Sequence, residues 1–541
     1  MVLDEDIHIQ QEYDVIVVGS GASGSWAAKE LSEKGLSILV LEAGRAIQAS
    51  TDYAMIQMGF AKNNPVERIK AAFKSQHIQA RCGSWSSLTK HFFVNDRQNP
   101  YSSNRKSNFH WFRGRQAGGR LHTWARVSPR MSDNDFHAAS QDGFGRDWPI
   151  SYAELEPYYD HVEKFIGLYG NADGLAQIPD GVYIRQWPLT PQEITFKRTI
   201  EAIWPERKVI GARVMQQRSR IPIMLLSAIK TGRCKIQYHA IVKSIKVDGH
   251  TKKATGVVFL DEKSKISQFI RSRAVVLCAS PIESIRILLN SKCARNPNGI
   301  GNHSGLLGCG VMDNTLIYKS GSTIDCDFPI INQDLYCFGK GNGFFIPQYQ
   351  NIGHVDNKFR RGYYICGAIG RGANKWWMIS FGAMLPYPEN RVTLNPRRKD
   401  AWGIPIAHID IQYRENELAM IADQQKSLQE MTHAAGLKET FKGNHICNNL
   451  LQKTLLKAVI HQSGSYYPGY AVHECGGAPM GTDPKHAVIN PYNQCFDVEN
   501  VFVTDASCFP SSAAVNPTNS IMALTVRACE HIADRMNGGG L

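Results

Sequence analysis

The chain runs to 541 residues, 43% hydrophobic and 20% charged, with 61 lysines and arginines against 48 aspartates and glutamates for a formal net charge of +13. That length buries a large core and leaves room for a crevice between two lobes, while the lack of any long apolar run excludes an integral membrane segment. The basic residues are scattered rather than collected into one run, so the excess describes a solvated surface and argues against a nucleic-acid partner.

Met1 to Gln11 is acidic and polar, without the basic and apolar regions of a secretion signal; the cytoplasm is the expected compartment, and a periplasmic location would need a partner's export signal. Tyr13-Asp14-Val15-Ile16-Val17-Val18 has no polar face, as expected of a parallel strand buried on both sides. It leads into Gly19-Ser20-Gly21-Ala22-Ser23-Gly24, a G-x-G-x-x-G in which Gly19 permits the tight turn, Gly21 lets backbone approach a pyrophosphate and Gly24 allows close helix packing. A helix over roughly Ala22 to Lys34 follows, its N-terminal dipole and unpaired N–H groups aimed at phosphates, with Gly35 as its stop. The second strand, Ser37 to Leu41, ends at Glu42, 23 residues past the first glycine. A carboxylate there accepts hydrogen bonds from ribose hydroxyls and disfavours a 2'-phosphate. Strand, glycines, helix, strand and acid in this order indicate a dinucleotide site, without separating FAD from NAD, because both present an adenosine diphosphate to the same surface.

Trp111 to Pro129 holds Gly114, Gly118 and Gly119 in a loop suited to lying against a planar ligand, the alternative being an ordinary surface loop. Asp147 to Tyr152 opens a helix with Ser151 as N-cap and Glu154 completing a capping box. From Ile236 to Ser280 the pattern is a hairpin, Ile245 to Val247 and Gly256 to Leu260 about a polar turn, then the apolar strand Ala274 to Ala279, which returns to the first sheet. Ile317 to about Lys442 reads as many short β-like runs, aromatic-rich and broken by Gly, Pro and Asn, and is assigned to a substrate lobe. No repeat or low-complexity tract supports a solenoid or a long linker. His473 stands just before Gly476-Gly477, Asn500 to Thr504 forms a strand ending in Asp505, and Val515-Asn516-Pro517-Thr518 leads into a helix from Ile521 to Met536, with Pro517 as its start signal. The 13 cysteines lack the tight pairs of a zinc site or a disulfide framework and are read as reduced packing residues. Cys278 and Cys508 fall in apolar strand-like runs, and Cys475, close to His473, leaves a redox role open.

The glycine fingerprint with Glu42-Ala43-Gly44, the Gly118-Gly119 loop, Val275 to Leu289 and the whole of His473 to Met536, in this order, resemble the glucose-methanol-choline (GMC) oxidoreductase family over most of the chain. The resemblance implies an α/β fold in which a Rossmann-type FAD-binding domain carries a β-sheet-containing (α+β) substrate domain. It assigns residues 1–50, 111–135, 231–316 and 455–541 to the first and 51–110, 136–230 and 317–454 to the second. It selects FAD as the dinucleotide and implies cofactor contacts at Gly19, Gly21, Ala22, Ser23 and Gly24, at Glu42 and Ala43, and at Arg113, Arg115, Gly118, Gly119, Thr123 and Trp124. Further contacts are implied at Val242, Ala279 and Ser280, at Asp505 and Ala506, and at Asn516, Pro517 and Thr518. No metal is implied.

Arg113-Gly114-Arg115-Gln116, Asp147-Trp148-Pro149-Ile150 and Asn516-Pro517-Thr518 are most similar to the bacterial gluconate and glucoside 3-dehydrogenases and to pyranose and C-glycoside oxidases. That implies oxidation of a secondary alcohol of a sugar or glycoside, such as C3 or C2 of a pyranose ring, to a ketone. In that branch a histidine and an asparagine face the flavin, and His473 and Asn516 occupy the matching places. Neutral His473 would take the hydroxyl proton while hydride leaves for flavin N5, Asn516 would orient the substrate oxygen, and the helix after Thr518 would direct its dipole at the pyrimidine edge. Pyranose oxidases carry a flavin-linked histidine just before the tryptophan of the glycine loop; here Thr123 precedes Trp124 and His122 is one place off, so non-covalent FAD is expected. Two rivals stand beside this reading: FAD-dependent oxidation of an aryl or aliphatic alcohol, and a non-catalytic flavin-binding subunit. The electron acceptor (oxygen, a quinone or a redox partner) and the assembly (a homo-oligomer or a small accessory subunit) stay open.

Overall fold

A computed structural model describes residues 12–53, 65–104, 107, 109–216, 222–322, 342–352, 358–371, 375–439 and 467–541. The N-terminal segment 1–11 and parts of the 317–442 region (323–341, 353–357, 372–374 and 440–442), on which expectations were placed, lie outside the described residues. Two larger sheets organise the chain. Six of their strands are β1 (Glu12–Val18), β2 (Ile38–Leu41), β3 (Cys234–Gln237), β4 (Ala240–Val247), β5 (Ala254–Asp261) and β6 (Ser267–Leu277). Five more follow: β7 (Asn314–Ser322), β8 (Phe344–Ile346), β9 (Tyr363–Ile369), β10 (Lys375–Ala383) and β11 (Val501–Val503). Four helices bear on the site: α1 (Ala22–Glu33), α2 (Tyr152–Ile166), α3 (Glu415–Ala434) and α4 (Thr518–Asn537).

The first sheet has the order β3-β2-β1-β6-β5-β4, with β11 joining β6. β1 runs parallel to β2 and β6, and β6 parallel to β11, whereas β4 and β5 form the expected antiparallel hairpin and β6 pairs antiparallel with β5. Both faces of β1 are covered, which is why it lacks polar alternation. Val15 and Val17 pack with Ala27, Leu31 and Ile532 of α1 and α4, while Ile16 and Val18 enter the other core with Leu39, Leu41 and Leu277. Each such burial contributes about 1.5–3 kcal/mol. In register, Val18 stands opposite Leu41 and Leu277, and Leu277 opposite Val503. The parallel strands β1, β2, β6 and β11 therefore end level, and Gly19, Glu42, Cys278 and Thr504 start their loops along one edge, where open α/β sheets bind ligands.

Helix α2 opens on the expected capping box: Ser151 N donates to Glu154 Oε2 at 2.9 Å and Glu154 N to Ser151 Oγ at 3.2 Å. Its buried Glu163 accepts from Arg130 Nη2 at 2.6 Å and from Asn519 Nδ2 at 2.9 Å, tying α2 to the first turn of α4.

In the second sheet β7, β10, β9 and β8 are antiparallel neighbours, with Lys438–Glu439 and Ile210–Gly211 at its two edges. β9 is buried along its whole length. Tyr363 and Ile365 face Met420, Leu428 and Met431 of α3, and Tyr364 and Cys366 face the core shared with the first sheet. The 20-residue α3 corrects the expectation of short β-like runs throughout this region. Buried Met420, Ile421, Gln424, Leu428 and Met431 recur at helical spacing and give it a single inward stripe. Cys508 likewise lies in a short 3-10 turn, Ala506–Cys508, rather than in a strand. No helix among the described residues is long and apolar enough to cross a membrane.

Candidate active site

A cavity of about 380 Å³ opens along the level strand ends. Gly19, Gly21, Ala22, Ser23, Glu42, Ala43, Arg113, Arg115, Gly119, Thr123, Trp124 and Val242 line it, as do Ala279, Ser280, His473, Asp505, Ala506, Asn516, Pro517 and Thr518. Gly24 and Gly118 do not. A Cβ at Gly24 would fall 1.9 Å from Gly19 O, so its task is close packing of α1 on the turn. Gly118, at φ +87°, is backed by His122 and Pro222, and its N–H donates to Ser20 Oγ at 3.0 Å, bracing the glycine turn from behind.

The lining fits an FAD-type dinucleotide. A Cβ at Gly21 would meet nothing within 4 Å, so this position is a cradle that glycine alone leaves empty. α1 and α4 both begin at the cavity without a side-chain cap, leaving first-turn N–H groups for an anionic or polar ligand. The Glu42 carboxylate accepts from Ser20 N at 3.1 Å and Gly44 N at 2.8 Å, and burial raises its pKa against the pull of Arg115. Arg113 lies over the Trp111 ring at 3.9 Å and is pushed down to about 10 by burial. Asp505 is held by its own chain, accepting from Ser284 Oγ at 2.5 Å and Ser507 N at 3.0 Å.

At the other polar cluster, Asn516 Nδ2 lies 2.9 Å from His473 Nε2, and His473 Nδ1 lies 2.9 Å from Asn314 Oδ1. Tyr364 donates its hydroxyl to Asn516 Oδ1. The His473 main chain is anchored too: its N–H donates to Asp313 Oδ1 at 2.9 Å, and Gly469 N to Asp313 Oδ2 at 2.5 Å. Burial, reinforced by the Arg120 cation, pushes His473 down to about 3, so the imidazole is uncharged at neutral pH. Burial and the Glu474 carboxylate push Asp313 up to about 7. Phe381 lines the cavity with its ring 5.0 Å from that of His473.

His122 faces away from the cavity. Its Nδ1 bonds Tyr53 OH, its Nε2 donates to Ala117 O at 2.5 Å, and its ring stacks on Phe92. Cys475 is buried, and burial beside Asp313 and Glu474 holds its thiol well above the ordinary range, which leaves it no reactive thiolate. None of the described cysteines is in a disulfide.

Sequence reasoning missed Asn314, Tyr364, Phe381 and the Arg120–Glu474 ion pair of 2.7 Å. No motif marks them; only the alternation of β9, once its faces are known, places Tyr364 on the cavity side.

The FAD binding domain model matches residues 14–303 and the GMC oxidoreductase model residues 386–525. The chain is 27% identical to 2-methyl-1,2-propanediol dehydrogenase of Mycolicibacterium austroafricanum, over 97% of this chain and 96% of that one. It is 26% identical to the fructose dehydrogenase large subunit of Gluconobacter japonicus, over 97% and 98%. Formate oxidase of Aspergillus oryzae RIB40 shares the fold, with a TM-score of 0.67 at 14% identity over 98% of this chain and all of the other.

Proposed function

This chain belongs to the GMC oxidoreductase family, and from that premise we propose that it oxidises a secondary alcohol of a sugar or glycoside to a ketone, with His473 and Asn516 as the catalytic pair. Its activity class is FAD-dependent oxidoreduction. The observation that carries the proposal is an uncharged, half-buried imidazole beside an asparagine amide in the cavity wall.

When bound, FAD supplies the acceptor for the hydride that leaves the substrate carbon. The glycine turn and the first turn of α1 would hold its pyrophosphate, Glu42 its ribose, and the N-terminus of α4 would face its ring. The substrate hydroxyl enters between Asn516 and His473. Asn516 Nδ2–H then donates to the substrate oxygen, and His473 Nε2 receives the hydroxyl proton, so that proton and hydride depart in one fixed geometry. A scaffold subunit would gain nothing from this pair. His122, whose ring nitrogens are both engaged away from the cavity, would leave FAD without a covalent bond at this position. Residues 1–50, 111–135, 231–316 and 455–541 include every strand of the first sheet and form the FAD-binding domain. The substrate domain comprises 51–110, 136–230 and 317–454, joined through β7, which crosses their boundary.

The sugar reading is supported by the fructose dehydrogenase relative and the loop motifs. A non-sugar alcohol is the second reading, favoured by the propanediol dehydrogenase relative. Anaerobic absorbance of the holoprotein on adding alkyl glucosides, free sugars, diols and aryl alcohols separates them: bleaching by glycosides or sugars is expected, and bleaching by diols or aryl alcohols alone would install the second reading. On admitting air, fast recovery marks oxygen as acceptor and slow recovery a quinone or redox partner.

A further inference from the structure

We propose that Asn314 and Tyr364 are positioning residues that set the direction of every hydrogen bond through the His473–Asn516 pair, Asn314 by keeping the imidazole proton on Nδ1 and Tyr364 by turning the Asn516 NH2 toward Nε2. The proposal rests on the reading of that pair as catalytic.

The direction follows from two backbone carbonyls. Gly382 O and Ala513 O each lie 2.9 Å from Asn314 Nδ2. A carbonyl only accepts, so the amide nitrogen must face them and Oδ1 must face His473. Amide orientation is often ambiguous from geometry, but two acceptor-only partners on the same atom decide it. Oδ1 in turn accepts from Nδ1–H at 2.9 Å. A neutral imidazole has one N–H, which leaves Nε2 with a bare lone pair. Nε2 then accepts from Asn516 Nδ2, and the remaining Asn516 Oδ1 receives the Tyr364 hydroxyl. The opposite tautomer would bring Nε2–H against the Asn516 NH2 and Nδ1 against Asn314 Oδ1, two repulsions at once.

Both residues come from the second sheet. Asn314 begins β7, in register with Ala383 of β10, and Tyr364 of β9 is in register with Phe381 of β10. Asn314 and Tyr364 are both almost fully buried, so water does not compete for their bonds. Asp313, the neighbour of Asn314, holds the His473 main chain, so two consecutive residues fix backbone and ring together. The charged and titratable groups around the ring are Arg120, Asp313, Glu474, Cys475 and Tyr364, and burial keeps His473 neutral among them.

Histidine-labelled wild-type holoprotein gives the first test, with His473 assigned by comparison with His473→Gln: its nitrogen spectrum should show a protonated Nδ1 and an unprotonated Nε2. A protonated Nε2 overturns the proposal whether or not any variant folds. Anaerobic single-turnover flavin reduction gives the second. Asn314→Leu should slow reduction about 10- to 100-fold with little change in KM, the usual scale for losing a group that orients a functional histidine. Tyr364→Phe should show a smaller loss of the same kind. Asn314→Asp places a carboxylate beside Nδ1–H, favours the imidazolium and brings an acid limb into the pH profile of reduction. A purely structural asparagine would not produce that limb. Wild-type rates and pH profiles in Asn314→Leu and Asn314→Asp, with His473→Ala inactive, overturn the proposal and leave the catalytic pair standing. If His473→Ala reduces at the wild-type rate, the catalytic reading falls instead, and the nitrogen spectrum still decides the tautomer.

Discussion

Replacing Gly21 or Gly24 by alanine should separate holding the cofactor from holding the fold, although the two glycines stand three residues apart in one turn. Gly21 has φ −69°, open to any residue, and an added Cβ meets nothing within 4 Å, so the FAD-free Gly21→Ala protein should melt like the wild type. Its methyl instead projects into the cavity in front of the α1 N-terminus. Displacing one charge-assisted hydrogen bond to a backbone N–H costs about 1.5–3 kcal/mol, or roughly 10- to 100-fold in Kd for FAD. At Gly24 the added Cβ would stand 1.9 Å from Gly19 O and 3.2 Å from Cys278 Cβ, and the first of these neighbours is backbone that can give way only by opening the turn. Overpacking of that kind costs about 1–3 kcal/mol or more and lowers the FAD-free melting temperature by several degrees. Calorimetry of the FAD-free proteins and fluorescence titration with FAD read the two effects separately. Wild-type FAD affinity in Gly21→Ala, or equal melting losses in both variants, would refute the reasoning.

Since burial and Arg120 hold His473 near 3, it stays unprotonated as pH falls from about 8 to about 5, and a pH profile of single-turnover reduction should show no acid limb from it; because the neighbouring Asp313 is pushed up to about 7, the profile is taken in Asp313→Asn, where a limb left near the ordinary histidine range contradicts the assignment. Arg130→Met strands Glu163, which is fully buried, and should cost about 3–5 kcal/mol, with Arg130→Met combined with Glu163→Met recovering most of the loss in thermal melts. An unchanged melt in the single variant would show that the pair does not anchor α2. Acid denaturation should release all the flavin into the supernatant, because His122 is spent on Tyr53 and Ala117; flavin left on the pelleted chain would show a covalent link.

What was legible in the sequence had local causes. The first strand, glycine turn and helix each follow from residues within a few positions of one another, and α1 ends at Glu33, one residue short of the expected Lys34. Ser151 and Glu154 form their capping box because both partners lie inside one helical turn. Pro517 marks the start of α4 as expected, with the helix itself beginning at Thr518 rather than Ile521. What was hidden depends on distant pairing. Asn314 reaches His473 across 159 positions and Tyr364 reaches Asn516 across 152, and neither looks different from an ordinary strand residue. Gly118 shares a motif with cavity-lining Gly119, yet its own face is occupied by His122 and Pro222, which the motif does not show. α3 was obscured by the aromatic strands before it, although its 415–434 stretch, met alone, has the spacing of an amphipathic helix.

The measurement that bears most directly on the catalytic pair is anaerobic, single-turnover reduction of the bound flavin by a saturating glycoside, in the wild type and in His473→Ala loaded with equal FAD. Loss of the positioned base should slow reduction roughly 10²- to 10⁴-fold while FAD binding is unchanged. Reduction of His473→Ala at the wild-type rate would contradict the account and return the search for the base to the rest of the cavity wall.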